Sequence, residues 1–190
     1  MLKRFVEDKH FENINYSEKE LNKGEYDNCI FVNCIFANSD LSDIDFVECE
    51  FDNCDLSMAK LDKTALKEVK FSNCKILGLN FNDCNEFLLS LTFEDCHLNL
   101  SSFYKLSLKD TTFKNCSLQE VDFVETDLSN SIFDNCDLHK AMFENTTLEK
   151  VDFRTTYNYS IDPEINDIRK AKFSKSGLMG LLEKYDIEVE

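Results

Sequence analysis

Nine cysteines are the residues of this 190-residue chain whose chemistry first suggests a site. Thiolates bind zinc or form disulfides when their spacing lets them meet, typically as two cysteines separated by two residues. No such pair occurs here, and no histidine stands at ligand spacing. Because nearly every cysteine precedes a large apolar residue by two positions, we expect thiols that pack inward as small apolar side chains. They are Cys29, Cys34, Cys49, Cys54, Cys74, Cys84, Cys96, Cys116 and Cys136.

The other reactive residue types form no catalytic pattern. His10, His97 and His139 are scattered, and each is expected to be a solvated surface side chain. Asparagine precedes several of the cysteines, where it is expected to form side-chain ladders and to tolerate unusual backbone angles at a corner. The sequence has no glycine-rich phosphate loop, nucleophile elbow or zinc-protease motif. We therefore expect no enzyme activity, no cofactor and no metal.

A period of five residues organises the chain. Large apolar residues occupy every fifth position from Phe11 to Phe81, and the series resumes in a new phase from Phe93 to Phe153. The residue two places earlier is mostly small or β-branched. A period of five fits neither an α-helix nor a simple strand, so two residues in five point inward and the chain turns every few residues.

Four of these units make one circuit. The pattern Phe-x-Asn/Asp-Cys recurs every twenty residues from Phe31 to Phe71 and again from Phe93 to Phe133. Equivalent residues therefore stack on successive coils, at about 4.8 Å for parallel strands. The pattern predicts an all-β fold, a right-handed quadrilateral parallel β-helix about 34 Å long, with a short C-terminal α-helical cap.

We divide the chain into an N-terminal cap (1–10), the β-helix (11–157) and a C-terminal segment (158–190). Phe93 follows Phe81 by twelve positions rather than ten, which places a two-residue insertion near 82–92. It is interpreted either as corner bulges in a continuous rod or as a contact site for a partner. Ile30, Val32 and Ile35 form an outward apolar group that residues 1–10 cover or that contacts a partner.

The C-terminal segment is interpreted as a cap on the end of the rod. Asp162 is placed to cap a short helix with Pro163 at its first position, and helical spacing continues over 176–185, followed by a strand over 187–189. Since a solenoid end exposes apolar core, this segment either only caps the rod or also joins two chains end to end.

The formal net charge of −16 limits the possible partners. Nonspecific binding to nucleic acid or to an anionic membrane is disfavoured, and a basic protein, or one that normally holds DNA, is favoured. The first residues lack the apolar core of a secretory signal, and no run is long enough to cross a membrane. The expected location is cytoplasmic.

The five-residue units from 11 to about 157 resemble those of the pentapeptide-repeat family. The break near 82–92 and the tail that follows Asp162 narrow this to a resemblance to its quinolone-resistance and microcin-immunity members. The resemblance implies a homodimer joined through its C-terminal ends, with an acidic surface that imitates B-DNA. It also implies binding to DNA gyrase or topoisomerase IV, with protection from quinolones or a gyrase-directed peptide toxin. The long projecting loops of the quinolone-resistance members are missing here.

The twenty-residue offset places outward acidic residues next to one another on successive coils, where a protein partner would bind. The alternative is that these acidic residues serve only solubility. The alternative function is a structural or regulatory interaction scaffold with an unrelated protein partner. The candidate acidic partner-binding face consists of Glu25, Asp27, Asp40, Asp43, Asp45, Glu48, Glu68, Asp122, Glu125 and Glu144. The candidate dimer interface consists of Phe173, Leu178, Leu181, Leu182, Tyr185 and Ile187.

Overall fold

The computed structural model describes residues 4–188, which wind into a four-sided parallel β-helix. Most five-residue units contribute a short extended segment and one corner residue with a left-handed backbone. In one coil the corners are Asn33, Asn38, Asp43 and Glu48, with φ between 52° and 59°. Asparagine and aspartate tolerate this conformation better than other non-glycine residues, which explains the asparagines that precede the cysteines.

The four faces of the rod are named after the inward residues of one coil. Face 1 is centred on Phe31, face 2 on Phe36, face 3 on Leu41 and face 4 on Phe46, and all four side chains are buried. Within residues 4–188, regular strands form only on faces 1 and 4, and all their pairs are parallel.

Face 4 carries a four-stranded sheet in the order β1-β3-β5-β7, and face 1 a seven-stranded sheet in the order β11-β10-β9-β8-β6-β4-β2. The strands are β1 (Phe5–Glu7), β2 (His10–Glu12), β3 (Glu25–Asp27), β4 (Ile30–Val32), β5 (Asp45–Val47), β6 (Glu50–Asp52), β7 (Ala65–Lys67), β8 (Val69–Ser72), β9 (Leu91–Glu94), β10 (Thr112–Lys114) and β11 (Ile132–Asp134). Three 3₁₀-helices span Phe81–Asp83, Ser176–Leu181 and Glu183–Tyr185.

Backbone hydrogen bonds join successive coils at the corners as well as along the strands. The amide of Asn33 donates to the carbonyl of Asp52 at 3.0 Å, and the amide of Asn53 donates in the same way to Ser72 one coil later. The Asn53 side chain also donates to the Asn33 side chain at 2.6 Å, which confirms the predicted ladder. Repetition of these bonds satisfies the backbone polar groups of the rod.

Stacked rings fill the interior. On face 1, nine phenylalanines from Phe11 to Phe173 form one column, with centroids of neighbouring rings 4.8–5.4 Å apart. Rings on faces 1 and 3 meet edge to face, as Phe93 and Phe103 do at 6.1 Å. The alternation of Phe and Leu in the second half therefore supplies two rings and two leucines to each layer, which keeps the layer volume constant.

The two extra residues lie on face 4, within 86–90, here called the bulge. Ala65 pairs with Asn85 at the regular offset of twenty, whereas Val69 pairs with Leu91 at an offset of twenty-two. On face 1 the rod continues without a break, because Phe71 stacks on Phe93 at 5.3 Å.

The expected helix after Asp162 is wrong, because these residues form a turn. The Asp162 carboxylate accepts the Glu164 amide at 2.8 Å, as in an Asx-turn. Asn166 then points inward, where its side chain donates to the Phe143 carbonyl at 2.8 Å and accepts the Thr146 amide at 2.9 Å. These buried bonds hold the chain in coil register, so Asp167 still stacks beside Thr147.

The C-terminal cap is helical, but its helices are of the 3₁₀ type rather than α. Residues three apart eclipse in a 3₁₀-helix, and Gly177 and Gly180 both rest against Tyr159, where a Cβ would collide with its ring or backbone. The Ile161 amide donates to the Gly180 carbonyl at 2.8 Å. Ile187 and Glu188 lie outside any strand, contrary to the expected terminal strand, and Val189 lies outside the described residues.

The first strands extend the rod rather than fold over it. His10 pairs with Ile30, and Glu12 pairs with Val32. Ile30 and Ile35 therefore stay exposed among the described residues, and, contrary to the expectation, residues 4–10 do not cover this apolar group; residues 1–3 of the predicted N-terminal cap lie outside the described residues. No helix within 4–188 combines the length and the apolar character needed to cross a bilayer.

The glycine contacts of the cap generate a prediction. Gly180→Ala should destabilise the cap by about 1–3 kcal/mol, because the new methyl group overlaps Tyr159. Hydrogen exchange of 176–185 should accelerate, while exchange in the coils stays slow. Met179→Ala, at an exposed neighbouring position, is the control. Equal exchange in the two variants would contradict the role of the glycines.

Candidate functional site

Five of the candidate acidic residues lie together on face 4. Glu25 stacks beside Asp45, and Asp27 stacks beside Val47, in the register of β3 and β5. The next coil continues the two columns with Ala65 and Lys67. We call the five carboxylates the acidic sheet: Glu25, Asp27, Asp45, Glu48 and Glu68.

Electrostatics follow from this stacking. Like charges on neighbouring coils repel, and Glu48 and Glu68 occupy the same corner column one coil apart, at about 4.8 Å. A cationic surface placed over the acidic sheet relieves this repulsion, whereas an anionic one increases it. The arrangement therefore suits a basic partner.

Asp40 and Asp43 lie on face 3 and at its corner with face 4. Asp40 accepts the Ser42 amide at 2.9 Å and pairs with Lys23 at 3.3 Å. Hydrogen bonds from Ser42, with a smaller contribution from Lys23, lower the pKa of Asp40 to about 2. Asp43 occupies a left-handed corner with φ of 58° and borders the acidic sheet.

The other three candidates share face 3 of the second half. Asp122 accepts the Val124 amide at 2.9 Å and the Ser102 hydroxyl at 3.3 Å. Glu125 pairs with Lys105 at 3.5 Å, so part of its charge is already compensated. Glu144 is exposed one coil further along. The structure thus separates the candidates into two surfaces on adjacent faces.

The candidate dimer residues are not equivalent. Phe173 is the last ring of the face 1 column and stacks on Phe153 at 5.4 Å. Leu181 and Leu182 are half-buried in the cap. Leu178, Tyr185 and Ile187 are exposed at the end of the rod, where a second chain would contact them.

The bulge contains two exposed apolar residues that sequence reasoning did not single out. The side chains of Phe87 and Leu88 are 67% and 63% exposed. The Lys67 ammonium lies 5.9 Å from the centre of the Phe87 ring, in cation–π range. The two-residue shift in the sequence repeat locates this segment. It does not indicate which of the side chains lie outside the core.

Buried thiols offer no reactive centre. All nine cysteines are free and buried, as predicted. The Cys54 and Cys74 thiols each donate to a carbonyl of the preceding coil at 3.3 Å, and burial raises the pKa of Cys49 to about 12. His97 and His139 are exposed. Within 4–188 no group of three or more His, Cys, Asp or Glu is placed to hold a metal ion.

The fold is a β-solenoid whose core is filled by inward side chains. Its outward-facing residues form the surface available to a partner. The family model for the pentapeptide repeat region matches residues 24–91, 44–123 and 88–158, and the chain belongs to this family. Pentapeptide-repeat proteins act as scaffolds for protein interaction. Among curated proteins, none matches the chain significantly.

Solved structures share the fold at low sequence identity. A trypsin-treated variant of QnrB1, described as a plasmid-mediated fluoroquinolone resistance protein, is 18% identical with a TM-score of 0.63, covering 98% of this chain and 100% of that one. A second trypsin-treated QnrB1 variant is 18% identical, with a TM-score of 0.58 and coverage of 95% and 98%. HetL, from the cyanobacterium Nostoc, is 14% identical, with a TM-score of 0.42 and coverage of 88% and 86%.

Thiol burial can be tested by labelling. We expect fewer than one of the nine cysteines to react with Ellman's reagent in the native protein, and all nine to react in denaturant, because each thiol faces the filled core. Rapid reaction of several thiols in the native state would be incompatible with the stacked interior.

The lowered pKa of Asp40 predicts that the difference in stability between the wild type and a variant without this carboxylate depends on pH. A carboxylate whose pKa falls on folding stabilises the protein above its unfolded value of about 3.9 and loses this effect as the pH falls toward 2. The melting temperature of the wild type should exceed that of Asp40→Asn by about 1–3 °C at pH 6, and by only a small fraction of this near pH 2, where the folded-state carboxylate is half protonated. Asp62→Asn, on the same face, controls for the change in net charge. A difference at pH 2 as large as that at pH 6 would refute this assignment.

Proposed function

We propose that this chain is a DNA-mimicking protein that binds a type II topoisomerase, either DNA gyrase or topoisomerase IV. It protects the enzyme from quinolones or from a gyrase-directed peptide toxin. The observation that carries the proposal is the acidic sheet on one face of the β-helix. The shared fold with QnrB1, a fluoroquinolone resistance protein, supports it.

Charge density is consistent with mimicry. The nine layers of the face 1 column span about 38 Å, and duplex DNA of that length carries about 22 phosphate charges at one per 1.7 Å. The chain carries a formal −16. A basic surface that binds DNA would therefore meet a similar charge per unit length.

The charge is unevenly distributed along the rod. Residues 4–59 contain 14 Asp and Glu against 4 Lys and Arg, whereas residues 140–175 contain 6 against 7. The negative charge is therefore densest at the N-terminal end of the rod and continues at lower density into the second half. Residues 140–175 are nearly neutral, so this region is free of the self-repulsion that would oppose contact between two copies.

The proposed assembly is a homodimer joined through the C-terminal ends. Leu178, Tyr185 and Ile187 are exposed there, and an isologous contact would bury them in both copies. Such a dimer presents two acidic arms, pointing away from the junction. The proposed place of action is the cytoplasm, with no direct binding to nucleic acid.

A supercoiling assay tests the proposal. Micromolar protein should restore DNA gyrase activity in the presence of a fluoroquinolone. Asp122→Asn, Glu125→Gln and Glu144→Gln together should weaken gyrase binding by about 3- to 30-fold at low salt and reduce its salt dependence.

The control for this triple variant carries the same charge change on face 1, as Glu12→Gln, Glu50→Gln and Asp134→Asn. Equal affinities for the two triple variants would remove the face 3 carboxylates from the binding surface. If micromolar wild-type protein leaves gyrase unaffected with and without drug, the DNA-mimic proposal fails. An interaction scaffold for another protein partner then becomes the better account.

A further inference from the structure

A groove lies beside the bulge, at the corner between faces 4 and 1. It exists because the extra residues leave the coil ladder: the Ser90 amide donates to Leu66 at 3.1 Å, and the Val69 amide donates to Ser90 at 2.9 Å. The pairing between the two coils therefore leaves out residues 86–89. The resulting groove has a volume of about 590 Å³, and its lining includes Val47, Val69, Leu88, Leu89, Glu48 and Glu68.

The two glutamates of the groove lie in one column. Glu48 and Glu68 are successive corner residues, with φ of 52° and 54°, and the Glu48 amide bonds the carbonyl next to Glu68 in the chain. Their backbones are therefore one coil apart, at about 4.8 Å. Within 4–188, neither carboxylate takes part in an ion pair. Two like charges at this spacing repel each other until a cation lies between them.

The lysines that also line the groove have other contacts. The Lys67 ammonium lies over the Phe87 ring, 5.9 Å from its centre. Lys70 faces the next coil, where, after the larger effect of Lys114, it contributes to lowering the pKa of Glu94. Neither lysine is within ion-pair distance of the two glutamates. The groove therefore combines an apolar floor with two carboxylates that form no ion pair with its lysines.

We propose that this groove binds an arginine side chain of the partner protein. This inference rests on the proposed function, in which the partner is a topoisomerase. The aliphatic stem of the arginine lies on Val47, Leu88 and Leu89, since long basic side chains cover apolar surface while their charged end stays polar. The planar guanidinium bridges Glu48 and Glu68, because its donors are arranged as a rigid fork. A lysine, with one compact charge, spans the two carboxylates less well.

A matched pair of leucines tests the inference. Leu88 and Leu100 are both left-handed corner residues, with φ of 61° and 64°, and they are 63% and 62% exposed. Leu88 borders Glu68 in its corner column, whereas Leu100 lies on the opposite corner, between faces 2 and 3. Lysine already occupies such corners at Lys105, Lys140 and Lys150, so the backbone accepts either substitution.

Leu88→Lys places an ammonium in the groove. We expect its melting temperature at low salt to rise by about 2–4 °C, because the lysine relieves the repulsion between the two glutamates. Its affinity for DNA gyrase should fall at least 10-fold, because the groove is occupied. Leu100→Lys adds the same charge and should change the affinity less than 2-fold. Equal losses in the two variants, or none in Leu88→Lys, would overturn the inference.

A small-molecule titration examines the groove without gyrase. With N-acetyl-arginine amide at millimolar concentration, the methyl resonances of Leu88 should shift and saturate, while those of Leu100 stay constant. The shift should be lost in Glu48→Gln/Glu68→Gln and kept in Glu18→Gln/Glu120→Gln, which has the same charge change on the opposite corner. Equal shifts at Leu88 and Leu100 would overturn the groove as an arginine site.

The two experiments separate the two levels of the proposal. If wild-type protein does not bind gyrase, the proposed function fails, and the arginine titration still decides the chemistry of the groove. If gyrase binds wild type and Leu88→Lys equally well, only the inference about the groove fails.

Discussion

Stacking of inward side chains at a fixed offset of twenty residues is the constraint on which the molecule depends. Each ring of the face 1 column has partners one coil before and after it, about 5 Å away. Because inter-coil hydrogen bonds follow the same register, side-chain and backbone contacts support one another. A one-residue slip in any unit would expose its large residue and leave its corner in the wrong conformation. The sequence tolerates the two extra residues only because a bulge absorbs them on one face.

The filled core determines what the protein can do. Phenylalanines, leucines and thiols occupy the interior, and each outward position contributes instead to a surface with a repeat of about 4.8 Å. Charges on such a surface form columns, so a few substitutions generate an extended electrostatic pattern. The acidic sheet is one such pattern. The groove at its end offers a partner a concave apolar surface in addition to the negative charge. Recognition is therefore the function that this architecture supports best.

The repeat, the buried cysteines and the position of the insertion could be predicted from sequence, because each depends on spacing alone. The cap could not. The turn after Asp162 replaces a helix because Asn166 finds buried partners in the preceding coil, Phe143 and Thr146. Likewise, the 3₁₀ geometry of the cap depends on the fit of two glycines against Tyr159. Long-range contacts override local helix signals in both cases.

Only part of the candidate site could be predicted from the sequence, again because the repeat specifies spacing but not side-chain contacts. Stacking by twenty residues correctly grouped Glu25, Asp45 and Glu48 on one face. It did not indicate that Lys105 lies near Glu125 at 3.5 Å, or that Phe87 and Leu88 leave the core. Side-chain pairing and the course of an irregular segment are set by neighbours that a periodic pattern does not specify.

Competition with DNA tests the central claim most directly. In an equilibrium binding measurement with DNA gyrase, a DNA mimic and duplex DNA must occupy the same surface. The account predicts that the apparent Kd of this protein for gyrase increases in proportion to the concentration of added duplex, with no ternary complex at saturation. A stable complex of gyrase, duplex DNA and this protein, with an unchanged Kd, would contradict it.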